Sequence, residues 1–354
     1  MATLEPVREP RLRAAILDLY PGYFAFVMAT GILSTTAGVL EVEGVALALF
    51  GVNLVAYPLL WGLTLLRLCW APRRVLRELT AHATGPAYFT TVAATCLVGG
   101  QIAILTPACP VAIGMWGLAW VLWVALMYTF MAAVTLREPK PPLVLGLNGT
   151  WLLLVVATEA LSVLGSILAT YFPPEPRTVL FAALCTFLLG CMLYVLIIAL
   201  IFYRWTFLRM TPAGLAPPYW INMGALAITT LAGSRLVVLA PQWEFLAALR
   251  PFVAGLTLLF WVFGTWWIPL LLIVNFWRYG VRRVPLTYDP QYWGMIFPLG
   301  MYAAGTLLLA EATGLAALHV LATVFAGVAL CLWSAAFGAL VVRLIHTLRA
   351  GSGG

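Results

Sequence analysis

Long uninterrupted runs of apolar residues alternate with short polar breaks along the whole chain. A bilayer span needs about 20 apolar residues at a rise of about 1.5 Å each. Ten runs reach that length, over 19–39, 45–68, 86–105, 111–136, 148–171, 178–203, 218–240, 246–275, 291–311 and 316–345. The breaks between them carry turn chemistry: Glu41-Val42-Glu43-Gly44, Pro107 to Pro110, Lys140-Pro141-Pro142, Pro173-Pro174, Pro217-Pro218, Pro285 and Gly314. The break at Pro107 to Pro110 is so short that it predicts a tight antiparallel hairpin. Apolarity does not alternate at every second residue, so an outer-membrane barrel is excluded. The first run leads directly into further spans and reads as a retained helix rather than a cleaved leader. The expected class is an all-α polytopic membrane protein. A cytoplasmic N-terminal segment (1–18) precedes a ten-helix transmembrane domain (19–345) and a cytoplasmic tail (346–354).

The odd-numbered spans open alike. Tyr20-Pro21-Gly22-Tyr23-Phe24, Gly85-Pro86-Ala87-Tyr88-Phe89, Asn148-Gly149-Thr150-Trp151, Pro217-Pro218-Tyr219-Trp220 and Pro290-Gln291-Tyr292-Trp293 each place aromatic rings at a span entrance. Rings at that depth anchor a helix at the membrane–water interface. Phe24, Phe89, Trp151, Trp220 and Trp293 follow one another at 65, 62, 69 and 73 residues. Five repeated helical hairpins, all inserted the same way, account for that spacing. Odd spans are also rich in small and hydroxyl residues, whereas even spans are bulkier, as in Trp116 to Phe130. Small residues allow close helix approach or leave room for a lumen. The economical arrangement is an inner ring of five odd helices around a central pore, wrapped by five even helices; a solid bundle with glycine-lined contacts is the alternative. Pore-lining candidates are Thr30, Ser34, Thr91, Thr95, Thr158, Ser162, Thr229, Thr230, Gly300 and Ala304.

Composition agrees with this class. Apolar types make up 64% of the 354 residues and charged types only 9%, against about 25% charged in a soluble domain. With the N-terminus in the cytoplasm, sixteen of the nineteen Lys and Arg residues fall on the inner face. Arg177 and Arg250 fall outside, and Arg235 lies within a span. Six acidic residues are inside and five outside, so the faces carry +10 and −3. That bias satisfies the positive-inside rule for an even number of spans. Topology alone explains most of it, with contact to anionic lipid; a vestibule that gathers anions is the functional alternative. The six cysteines mostly sit in apolar runs without metal-type pairing and read as small reduced hydrophobes.

Two charges lie inside spans. Glu159 is eleven residues into the fifth span, roughly 16 Å deep and near the midplane. A carboxyl there is a proton site, a latch on a basic partner, or a protonated packing residue. Arg235 lies nearer the outer side. It either bends toward Glu159 as a salt-bridge partner, snorkels outward as an anchor, or helps an anion through. Pro298 interrupts the ninth span and predicts a kink or unwound turn. Phe297 beside it is either a packed core ring or an aromatic constriction that blocks ions by dewetting. No Gly-Lys-Ser or Gly-Lys-Thr loop, acidic pair with metal spacing, or paired haem-type histidine is present, His82, His319 and His346 being scattered. Nothing suggests ATP, nucleic acid, a metal or another cofactor.

The stretches Pro21-Gly22-Tyr23-Phe24-Ala25-Phe26-Val27-Met28-Ala29-Thr30-Gly31 and Tyr292-Trp293-Gly294-Met295-Ile296-Phe297-Pro298-Leu299-Gly300, set in the ten-span frame, resemble the tellurite-resistance and dicarboxylate transporter family. That family includes plant slow anion channels and yeast malate and sulfite transporters. The resemblance implies a ten-helix subunit with a five-helix pore, assembled as a homotrimer in a prokaryotic cytoplasmic (inner) membrane. It implies gated passage of small inorganic or dicarboxylate anions: chloride, nitrate, sulfite or C4-dicarboxylates. It also implies a pore phenylalanine as gate, which falls on Phe297 with Pro298 behind it. No enzymatic activity is expected. The rival readings are a proton-coupled carrier working through Glu159, and a membrane-embedded enzyme or lipid-binding protein with no through-path.

Overall fold

The computed structural model describes residues 11–171 and 176–351. The expected turn at Pro173-Pro174, the charge of Glu175, the first ten residues and the last three lie outside the described residues. Among the described residues, ten helices, five of them taken with the 3₁₀ turns that adjoin them, are long and apolar enough to cross a membrane: α1 (Phe24–Val39), α2 (Glu43–Trp70), α3 (Thr90–Leu105), α4 (Cys109–Leu136), α5 (Leu153–Leu168), α6 (Pro176–Phe207), α7 (Ile221–Leu239), α8 (Glu244–Asn275), α9 (Trp293–Thr313) and α10 (Ala317–Gly351). Their count and order are those read from the apolar runs, and the entrances agree within a few residues. Several even helices overrun the predicted ends: α10 continues to Gly351 and α8 passes into a π turn over Phe276–Val281. Gly314 ends α9 with φ 71°, the left-handed conformation that a glycine adopts without Cβ strain.

Each odd helix is entered through a short 3₁₀ turn: Pro21–Tyr23, Gly85–Phe89, Gly149–Leu152, Pro217–Trp220 and Pro290–Tyr292. These turns are the repeated aromatic openings of the sequence. Proline fits the first positions because its missing N–H is unpaired there in any helix. Where the turn lacks an early proline, Asn148 accepts from the Thr150 amide at 2.9 Å. Asp289 accepts likewise from the Gln291 amide at 2.8 Å.

The odd helices form a closed ring in the order α1, α3, α5, α7, α9 and back to α1, each packing against the next. The five 3₁₀ turns close a second ring below it in the same order. Gly149 makes one such contact possible: a Cβ there would lie 2.5 Å from the Pro218 carbonyl oxygen. Each even helix packs on the odd helix of its own hairpin. Between 72% and 94% of the core of each odd span is buried, against 11% to 50% for the even ones. The exposed side chains of the even helices, such as Val121, Leu196, Leu259 and Val320, are apolar, as a lipid-facing surface requires.

The face carrying the 3₁₀ turns holds most of the arginines and is called the basic face below. On it, one arginine from each even helix reaches back to the segment that precedes its own odd partner. Arg67 donates to Leu17 O at 2.9 Å, Arg137 to Thr80 O at 3.2 Å, Arg278 to Leu215 O at 2.8 Å and Arg343 to Tyr288 O at 3.2 Å. Arg204 donates to Leu147 O in the same way. Each hairpin is thus tied across its open end. Arg67 and Arg204 also reach the tyrosine of the next turn in the ring, Tyr88 at 3.2 Å and Tyr219 at 2.7 Å.

Candidate functional site on the axis of the ring

Two chambers lie on the ring axis. The first, about 20 Å³, opens among the 3₁₀ turns. Gly22, Thr90, Thr150, Pro218 and Gln291 bring one wall from each hairpin, and the chamber ends at Phe297. The second, about 430 Å³, opens toward the opposite face. Ile32, Cys96, Val163, Leu231 and Ala304 bring one wall from each odd helix. No residue lines both chambers. Met28 borders the first and Ile32 the second, a separation of about 6 Å along α1; Phe297 and Ala304 are about 10 Å apart along α9. The septum is therefore one to two helical turns thick. Phe297 is 1% exposed and Met28 fully buried.

Helix α9 runs unbroken through Pro298. Of the kink or unwound turn expected there, the unwound turn is absent; Pro298 packs against α7, where a Cβ on Gly224 would meet its ring at 2.6 Å. Pro298 still cannot donate to the carbonyl of Gly294, and Gly294 itself lines the first chamber. Gly300 faces α1 rather than the axis, with Ile32 2.9 Å from an added Cβ.

Of the pore-lining candidates, only Ala304 borders a chamber. The hydroxyls face the even helices or their own backbone. Thr158 donates to Leu154 O at 2.7 Å and accepts from Trp123 Nε1 at 2.8 Å. Thr30 donates to Phe26 O at 2.8 Å and accepts from Trp333 Nε1 at 2.9 Å. Thr95 donates to Thr91 O at 2.7 Å, so the Tyr57 hydroxyl, 2.8 Å away, donates to it. Ser34 and Ser162 donate to Ala46 O and Ala183 O, both at 2.7 Å. Thr91 and Thr230 donate to Tyr88 O at 2.7 Å and Leu226 O at 2.8 Å. The reason is the indole N–H groups and backbone carbonyls of a dry interface, which need partners more than an open lumen does.

Glu159 and Arg235 do not meet. Glu159 is fully buried, beside Thr229 at 3.2 Å and against Gly190 of α6. It points out of the ring between α5, α6 and α7 and borders neither chamber. Arg235 donates from Nε to Ser166 Oγ at 2.7 Å and lines the second chamber with Glu311 and His319. Burial, with the charges of Arg137 and Lys140, lowers the pKa of His82 at the basic face below the ordinary imidazole value, favouring its neutral form. Sequence reading missed the polar residues of the first chamber, Thr90, Thr150 and Gln291. They sit inside the aromatic openings, and the period of those openings was their only signal. Among the described residues no group of acidic, cysteine or histidine side chains could hold a metal ion.

A closed helical ring with axial chambers from both faces defines a membrane protein of the channel and transporter class. The chain belongs to the voltage-dependent anion channel family, which it matches over residues 18–341. It is 38% identical over 156 residues to an uncharacterized membrane protein of Mycobacterium tuberculosis (strain ATCC 25618 / H37Rv), covering 44% of this chain and 79% of that protein. It is 28% identical over 307 residues to an uncharacterized transporter of Methanocaldococcus jannaschii, covering 83% and 84% of the two chains. It is 22% identical over 362 residues to a sulfite efflux pump of Trichophyton rubrum, covering 93% and 92%. The family assignment read from the two motifs and the ten-span frame therefore stands, and with it a general role in moving anions across a membrane.

Proposed function

We infer that the protein is a gated anion channel of the cytoplasmic membrane, with the basic face and both chain ends in the cytoplasm. The observation that carries this is the axial alignment of two chambers, each walled by all five hairpins, with Phe297 at the septum. The first chamber lies where five helices begin, so the positive ends of their dipoles favour an anion. The apolar septum then excludes it by dewetting until the Phe297 ring moves. Pro298 locks the backbone behind that ring against α7, so the side chain is the part free to swing. Binding stays weak at every station, as conduction requires.

Chloride, nitrate, sulfite and C4-dicarboxylates are the substrate candidates; the sulfite efflux pump among the relatives supports including sulfite. The family resemblance supports a homotrimer with one path in each subunit. Anion flux into proteoliposomes, with membrane potential clamped, tests the reading. Phe297→Ala is expected to raise flux at least about tenfold over wild type, since removing the ring removes the dewetted constriction. A folded Phe297→Ala protein that passes every anion no faster than wild type would overturn the gate.

A further inference from the structure

The second chamber is mostly apolar, yet one guanidinium opens into it. Arg235 comes from the last turns of α7 and is held by a single hydrogen bond, Nε to Ser166 Oγ on α5 at 2.7 Å. Its two terminal nitrogens have no protein partner among the described residues. The nearest opposing charge is Glu311 near the end of α9, which acts on Arg235 through space without forming a salt bridge. Ser166 holds the Nε edge of the planar group, and Arg235 lines the chamber. On the basic face Arg67, by contrast, places its terminal nitrogens on the Tyr88 hydroxyl and the Glu78 carboxylate.

We propose that Arg235 is a binding station for small oxyanions in the second chamber, with Ser166 as its positioning residue and Glu311 as the competing charge that keeps the hold weak. The proposal rests on reading the axis as the anion path. A forked guanidinium donates two parallel hydrogen bonds to two oxygens of one planar or pyramidal oxyanion, a geometry that a spherical halide cannot return. Nitrate, sulfite and carboxylates are therefore preferred to chloride at this station. Glu311 limits residence: a carboxylate in the same chamber lowers the potential that the incoming anion meets. Besides Glu311 and His319, the polar lining is Thr35 and Thr36, whose hydroxyls donate to carbonyls of their own helix, and the remaining lining is apolar.

The test separates the station from the path. Fluxes of nitrate, sulfite and chloride are compared in proteoliposomes carrying Phe297→Ala alone, or with Arg235→Gln or Arg235→Lys. Arg235→Gln keeps a donor for Ser166 but removes the charge and the fork; Arg235→Lys keeps the charge alone. Oxyanion flux is expected to exceed chloride flux in the parent. The oxyanion-to-chloride ratio is expected to fall about tenfold in both double variants, the scale of one charge-assisted hydrogen-bond pair. Chloride flux falls in Arg235→Gln and is largely kept in Arg235→Lys. Glu311→Gln is expected to raise oxyanion affinity. In parallel, thermal unfolding in detergent is followed in sodium nitrate and sodium chloride of equal ionic strength, a readout independent of passage. Nitrate is expected to stabilise the parent over chloride, and this difference disappears in Arg235→Gln. An unchanged selectivity ratio together with an unchanged nitrate stabilisation in both Arg235 variants overturns the station, even if anions pass. Nitrate stabilisation that depends on Arg235 in a protein that passes no anion supports the station and overturns the path. Absence of passage and of Arg235-dependent stabilisation together overturns both.

Discussion

Glu159 shows what one residue reveals in sequence and what it hides. Its depth was legible, because a lone acid in an apolar run can be counted in from the span end. Its direction was not, because a helix entirely buried gives no polar face to read. The structure turns it outward, onto Thr229 and the bare backbone of Gly190. Thr229 has one hydroxyl hydrogen, already placed on Ala225 O at 2.8 Å. The contact with Glu159 is satisfied best when the carboxyl itself carries a proton. The residue then works as a neutral hydrogen-bonding wedge, and a glutamine should replace it. Glu159→Gln is expected to fold normally and to give a flux whose pH response overlays that of wild type in proteoliposomes. Loss of the pH response in the variant alone would place a working proton site there and restore the coupled-carrier reading. The hydroxyl residues carry the same lesson. Threonine on an inner helix suggests a wet lumen, but Thr30 and Thr158 each neutralise an indole N–H from the outer layer. That pairing joins residues 303 and 35 positions apart, and no local pattern announces it.

At the scale of elements, spans and entrances were readable because hydropathy and turn residues act over a few positions. The arginine ties were not readable. They join a side chain to a carbonyl 50 to 63 residues earlier, and a carbonyl has no sequence identity. In the charge count these arginines looked like topology signals only. The structure gives five of them a second task, closing the open ends of the hairpins. The ties differ in depth, and so should their worth. Arg67 is 4% exposed and grips both Glu78 oxygens at 2.6 and 2.7 Å while also holding Leu17 O and Tyr88. Removing it leaves the partly buried Glu78 carboxylate with only Arg74 and the Tyr88 hydroxyl as partners, each at 3.1 Å, and costs about 2 kcal/mol. Arg137 is exposed and makes one bond to Thr80 O, worth about 0.5 kcal/mol or less. Arg67→Ala should therefore lower the unfolding temperature of the purified protein by several degrees, and Arg137→Ala should leave it nearly unchanged. Equal shifts in the two variants would mean that burial does not rank the ties.

For the whole molecule, the two faces differ in charge and in architecture. The five helix entrances, the five ties and the small chamber share the basic face; the large chamber opens on the other. An anion entering from the basic side meets positive helix ends first, then the Phe297 septum, then Arg235. This order has functional meaning with the basic face in the cytoplasm, the orientation proposed above and favoured by the excess of arginines and lysines on that face. Two native cysteines mark the faces. Cys69 is exposed near the end of α2 on the basic face, and Cys109 begins α4 on the opposite face. Variants retaining one or the other can be labelled in intact cells with a membrane-impermeant maleimide. Cys109 is expected to react from outside, and Cys69 only after the membrane is permeabilised. The reverse pattern would invert the protein in the membrane. It would place the large chamber and Arg235 in the cytoplasm and make that guanidinium the first charge an exported anion meets rather than the last.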